Sequence, residues 1–221
     1  MSLVGYVVIF LVGIGILLAL FLRHVGKKMY TSTKGEIIKK YENPRKALLV
    51  IDVQEGITGR MALKPYKDTE EKIKMINKVI QHASDTGVEV VYIRHAFKDS
   101  FIYRMLTRGR LIEGHPGVEI DSRIKVISEN NFTKNISDAF SNVDLDKFLI
   151  TNQVNELYLV GLDAVYCVYY TAIGALNRGY KVNVIEEAIL THKTQEEVAK
   201  LYQKSGIKLS SSKTLTEKEI Y

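Results

Sequence analysis

The sequence predicts an α/β protein of three layers, α/β/α, with a mainly parallel, Rossmann-like sheet, preceded by one N-terminal transmembrane helix. Three observations lead there. Continuous aliphatic runs, KALLVID at 46–52, VEVVYI at 88–93, LYLVGL at 157–162 and KVNVI at 181–185, have the length and composition of strands covered on both faces. Stretches of helical periodicity lie between them, and strands alternating with helices build a parallel sheet with helices on both sides. Residues 3–22, LVGYVVIFLVGIGILLALFL, carry no charge, and about 20 apolar residues are enough for a helix to cross the hydrocarbon core.

No Lys or Arg precedes that apolar run, whereas Arg23, Lys27 and Lys28 follow it. A cleaved signal would have a basic start and a shorter apolar centre. Residues 1–23 therefore read as a retained membrane anchor, with a cleaved signal or a buried core helix as the competing readings. The positive-inside tendency makes this a single-pass membrane protein with its C-terminal side in the cytoplasm. Residues 24–45, polar and basic, read as a juxtamembrane linker or short helix. Lys27, Lys28, Lys34, Lys39 and Lys40 either touch anionic headgroups, each worth about 1 kcal/mol near the surface, or are simply solvated. The folded domain is placed at 46–210, and 211–221 are expected as a polar, loosely ordered tail.

Taken in order, the first strand ends in Asp52. In residues 69–86, Ile73, Ile76, Val79 and Ile80 share one helical face and Gly87 closes the segment. The second strand runs into Arg94 and His95. Residues 96–122 lack periodicity and read as a long excursion, of the kind that is functional or mobile. Its Arg104, Arg108 and Arg110 form either a positive rim for an anionic substrate or a solvated or subunit-contacting loop. Ile124–Ile127 is expected as a short strand, Phe132-Thr133-Lys134 follow it, and 146–151 form a short helix. The strand at 157–162 feeds a helix marked by Val168, Thr171, Ala172, Ala175 and Leu176, stopping at Gly179. A strand at 181–185 and a helix at 194–204 complete the domain.

The net charge of +6 comes without a basic stripe interleaved with aromatics, so no nucleic acid partner is expected. The single cysteine, Cys167, excludes an internal disulfide and suits a reducing compartment. It falls in the first turn of a helix leaving the carboxyl end of a strand. The unpaired amides and positive dipole end there should ease ionisation of a thiol. A lone cysteine is also often just a small buried apolar residue. In parallel sheets the ligand crevice lies beyond the carboxyl ends of the strands, where both Asp52 and Cys167 sit.

LLVIDVQ near the domain start, FTKNISDAF in the middle and VGLDAVYCVYYTAIGALNRGYKVNVIEEA toward the end resemble the isochorismatase-like cysteine hydrolases over about residues 46–190. The resemblance implies a catalytic triad of Asp52, Lys134 and Cys167. It also implies a cis peptide between Leu162 and Asp163 that aims the backbone amides of Asp163 and Cys167 at an oxyanion. Implied with these are hydrolysis of a C–N bond in a small amide, carbamoyl or ureido compound through a Cys thioester, no cofactor, and assembly as a homo-oligomer. The sequence departs from the family pattern where Asp163, Ala164 and Val165 stand. It also has one histidine, in YIRHAFKDSF, where the nicotinamidase branch carries an Asp-x-His metal cluster. No metal site is therefore expected, and His95 is read as a local hydrogen-bonding residue. Two other readings stay open, a catalytically silent member that binds a ligand or partner at the membrane, and an ether hydrolase of the isochorismatase type.

Overall fold

The computed structural model describes residues 2–215; of the expected tail, 216–221 lie outside the described residues. Twelve elements are named, α1 Leu3–Met29, β1 Arg45–Ile51, α2 Thr69–Asp85, β2 Glu89–His95, α3 Phe101–Thr107, β3 Asn131–Lys134, α4 Val143–Thr151, β4 Val154–Leu162, α5 Cys167–Leu176, β5 Lys181–Leu190, α6 Gln195–Lys204 and β6 Lys208–Ser210. The strands form one six-stranded sheet in the order β3-β2-β1-β4-β5-β6, and every pair in it is parallel.

Alternation along β1 divides the core. Leu48 and Val50 face α2, whose Ile73, Ile76, Val79 and Ile80 cover that side. Ala47, Leu49 and Ile51 face the opposite layer, built by Leu145 and Leu149 of α4, Val168 and Ala172 of α5, and Val198 and Tyr202 of α6. Each fully buried Ile or Leu contributes about 1.5–3 kcal/mol. Chain order reverses between β1 and β4, and the crevice at such a switch point is where ligands bind in open parallel sheets. The two strands approach closely there. Gly161 has φ +106°, and a Cβ on it would collide with the Ile51 carbonyl, so only glycine fits.

The strand expected at Ile124–Ile127 is absent. Side chains satisfy that backbone instead: Lys125 N–H donates to Asn77 Oδ1, and the Tyr92 hydroxyl donates to the Lys125 carbonyl and accepts from Ile127 N–H. The place beside β2 is taken by Asn131–Lys134, in register from Tyr92↔Asn131 to His95↔Lys134. Residues 208–210, toward the expected tail, form β6 on the far edge.

α1 is long and apolar enough to cross a membrane, and none of its apolar window is buried against the domain. It continues to Met29. Residues 30–44 have no helix or strand, yet they are docked on the domain. The buried Asp138 carboxylate accepts from the Thr33 amide at 2.6 Å and its hydroxyl at 2.7 Å. Arg178 donates to the Thr33 hydroxyl at 3.0 Å and to the Lys34 carbonyl at 3.3 Å. Gly174 lets α5 pass close to Asp138, since a Cβ there would meet the carboxylate.

Candidate active site

Three strands deliver polar side chains to one edge of the sheet. Asp52 follows β1 with φ +56°, a left-handed conformation that Asp tolerates better than most residues, and its amide donates to the Ile93 carbonyl at 2.8 Å. His95 ends β2 and Lys134 ends β3 as register partners, so their side chains share a face. Cys167 opens α5, beyond the end of β4.

These groups converge. Lys134 Nζ donates to Asp52 Oδ2 at 2.8 Å and to His95 Nδ1 at 2.9 Å. His95 Nδ1 lies 3.9 Å from Cys167 Sγ and 3.7 Å from Asp52 Oδ2. Ligand atoms of Asp52, His95 and Cys167 all fall within 4.8 Å of one another. Lys134 is only 2 % exposed and Cys167 9 %. Because an ammonium only donates, His95 Nδ1 must accept, and the ring proton belongs on Nε2.

The cluster settles into an ion pair beside two neutral groups. Burial alone would raise Asp52, but the Lys134 ammonium and His95 outweigh it and hold the carboxylate below its ordinary range. Burial opposes charge on Lys134 as well, yet Asp52 keeps it above its ordinary value. Burial pushes His95 down and the Lys134 ammonium pushes the same way, so the imidazole rests neutral. Burial pushes the Cys167 thiol up to about 12; the Asp52 carboxylate adds to the rise and the Lys134 ammonium opposes it. This corrects the expectation of an easily ionised thiol. One helix end is outweighed by desolvation next to a carboxylate. Alkylation of the single cysteine by iodoacetamide, followed by mass spectrometry, is therefore expected to be slow at neutral pH. It should quicken by about tenfold per pH unit without a plateau below the thiol pKa. A fast, pH-independent rate would show a resting thiolate instead.

The turn before Cys167 has a defined hydrogen-bond pattern. The Leu162–Asp163 peptide is cis. Ala164 N–H donates to the Leu190 carbonyl, and Tyr166 and Val168 N–H both donate to the Asp163 carbonyl. The Asp163 carboxylate accepts from Val165 N–H and from the Thr191 hydroxyl, both at 2.9 Å. Its side chain thus braces the turn. None of these bonds uses the amides of Asp163 or Cys167.

Two residues carry more than the sequence reading gave them. His95 sits inside the cluster rather than beside it; Ile93 and His95 are buried with Arg94 half-buried between them, and the strand alternation that puts His95 on the face of Ile93 was the available signal. Gln54 is buried and clamps the His95 backbone. It accepts from His95 N–H at 2.7 Å and donates to the His95 and Val118 carbonyls at 3.1 and 2.8 Å. Arg104, in contrast, is exposed and paired with Asp99. Carboxylate, imidazole and thiol are donors of kinds that hold zinc, but the Lys134 ammonium occupies hydrogen-bonding distance of two of them and already supplies the positive charge there.

Comparison with known proteins agrees with this architecture. The isochorismatase domain model matches residues 46–212. The isochorismatase family protein YddQ of Bacillus subtilis is 30 % identical over 158 residues, covering 68 % of this chain and 81 % of its own length. The crystal structure of N-carbamoylsarcosine amidase from Thermoplasma acidophilum superposes with a TM-score of 0.65 at 28 % identity, covering 79 % of this chain and 99 % of that one. Pyrazinamidase of Pyrococcus horikoshii, solved in complex with zinc, gives a TM-score of 0.67 at 25 % identity over 76 % of this chain and 99 % of that one.

Proposed function

This chain belongs to the isochorismatase family, and from that premise we propose that it is a membrane-anchored cysteine hydrolase that cleaves a C–N bond in a small amide, carbamoyl or ureido compound. The observation that carries the reading is the buried contact of Lys134 with Asp52 and His95, 3.9 Å from His95 Nδ1 to Cys167 Sγ, at the carboxyl edge of the sheet. Two of the structural relatives are amidases by name, which supports C–N over other bonds.

The chemistry follows from the charges. With a thiol pushed up to about 12 beside a carboxylate held low, free thiolate is scarce at rest. The proton therefore passes from sulfur to Asp52 only as the S–C bond forms, when the substrate oxygen takes up the negative charge. The amides of Asp163 and Cys167 are the donors available to that oxygen. Asp52 then protonates the leaving nitrogen as the C–N bond breaks, leaving a thioester on Cys167. Attack by water, its proton taken by Asp52, releases the acid and restores the thiol. Lys134 remains charged throughout and keeps Asp52 ionised between steps.

The test is a panel of primary amides, carbamoyl compounds and ureides assayed for ammonia or amine release by the full-length protein in detergent. Turnover of at least one class, lost on adding iodoacetamide at alkaline pH, is the expected result. Inertness toward the whole panel, with ligand binding retained in calorimetry, would favour a silent family member.

A further inference from the structure

Two apolar surfaces leave the same edge of the sheet as the active site. The first is α1. The Met29 carbonyl at its end accepts from Ser137 N–H, just beyond Lys134. The next residue, Tyr30, packs its ring 4.9 Å from Tyr166, the neighbour of Cys167. The Thr33–Asp138 and Arg178 bonds described above, and Ile38 N–H donating to the Arg178 carbonyl at 2.9 Å, hold this joint to the domain.

The second surface is α3, which follows the active-site end of β2. None of its residues is buried; Phe101 is 80 % and Met105 61 % exposed, and Leu106 lies beside them. Phe101 and Met105, four residues apart, share one side of the helix, and Leu106 is exposed next to Met105. Tyr103 points the other way. Its ring stacks on Phe97 at 4.3 Å, and Phe97 packs on His95 at 4.5 Å. An aromatic chain thus ties α3 to the catalytic cluster while three large apolar side chains face outward. Lys98 and Arg108 flank the helix in the sequence, while Arg104 is paired with Asp99. Apolar anchors edged by cations are the pattern of a segment lying in the headgroup layer.

We propose that α3 is a second membrane contact, which dips Phe101 and Met105 into the bilayer surface with Leu106 at the margin and, together with α1, holds the active-site edge of the domain against the lipid. This rests on the reading of α1 as a membrane anchor. Both surfaces leave the active-site edge of the sheet, and the docked strap fixes the end of the anchor to that edge, which favours lipid as the occupant over a second copy of the chain.

The chain contains no tryptophan, so Phe101→Trp and Ile150→Trp each create a single reporter. Ile150 is exposed near the end of α4, just before β4 begins, and so at the opposite edge of the sheet. Each full-length variant is reconstituted into phosphatidylcholine–phosphatidylserine vesicles with and without lipid brominated on the acyl chain. The expected result is blue-shifted F101W emission that loses about half or more of its intensity in brominated vesicles, with I150W unquenched. Water-like, unquenched F101W emission in protein that still floats with carbonate-washed vesicles overturns this inference and leaves the anchor standing. Blue-shifted emission without quenching marks a protein partner, a second copy included, and also overturns it. Equal quenching of both reporters overturns the orientation. Protein that fails to float overturns the anchor, and this inference with it.

Discussion

Cys167→Ala is expected to abolish amide turnover, lowering kcat/KM by about 10⁴-fold or more, while the thermal midpoint moves little. The two readouts separate because of where the sulfur sits. It is buried at the rim of the core against Val168 and Ala164, and removing one sulfur there leaves a space smaller than a methylene-rich side chain would. The reaction, by contrast, has no second thiol to turn to: the Asp52 carboxylate and the His95 Nδ1 lone pair are both engaged by the Lys134 ammonium, which itself only donates. His95→Ala in the same assay should cost far less than Cys167→Ala, because the imidazole contacts the Lys134 ammonium rather than taking the thiol proton. An enzyme that loses amide turnover in Cys167→Ala but keeps activity on an ether of the isochorismatase type would be using the site without a thioester. Undiminished amide hydrolysis would refute the nucleophile altogether.

Most of the scaffold could be read from the chain, since buried parallel strands announce themselves as unbroken aliphatic runs. β1, β2, β4 and β5 were found that way, and α2 by its isoleucine stripe. β3 was not, because an edge strand of sequence NFTK has little apolar surface to show. The nearby Ile124–Ile127 looks more like a strand because three of its four residues are aliphatic, yet only Ile124 is buried, under α2, while Val126 and Ile127 are exposed. Its backbone bonds go to Asn77 and Tyr92, partners that no local pattern encodes. The docked course of 30–44 was hidden for a related reason. Its anchors, Asp138 and Arg178, are more than a hundred residues away and look like ordinary surface charges until the fold buries them. In the candidate site, Asp52, Lys134 and Cys167 came from motif order. The neutral state of the thiol did not, because desolvation depends on everything packed around a residue, whereas a helix dipole can be inferred from the residue's position alone.

Lys134→Met should be the most destabilising substitution at the site. It leaves the Asp52 carboxylate buried without its cation, and breaking such a pair from one side costs about 3–5 kcal/mol. The pH dependence gives the signature. In the wild type Asp52 is held below its ordinary range, so its contribution is present above the unfolded pKa of about 3.9 and is lost as pH falls through the lower folded value. Lys134, held above its ordinary value, contributes below about pH 10.4 and loses that contribution as pH rises through the folded value. Without the ammonium, burial dominates Asp52 and lifts its folded pKa above the unfolded one. The native variant then binds the proton more tightly than the unfolded chain does, so its deficit is greatest near neutrality and shrinks on acidification. His95 acts in the same direction: freed from the adjacent cation, it protonates more readily and can face Asp52 Oδ2, 3.7 Å away in the intact site. Thermal melts of both proteins across the acid range would show the curves converging. Adding Asp52→Asn should recover much of the loss even at neutral pH, because the two substitutions act on one interaction and their costs do not add. A deficit that is the same at every pH, and no recovery in the double variant, would mean that Lys134 matters through its packing rather than through its charge.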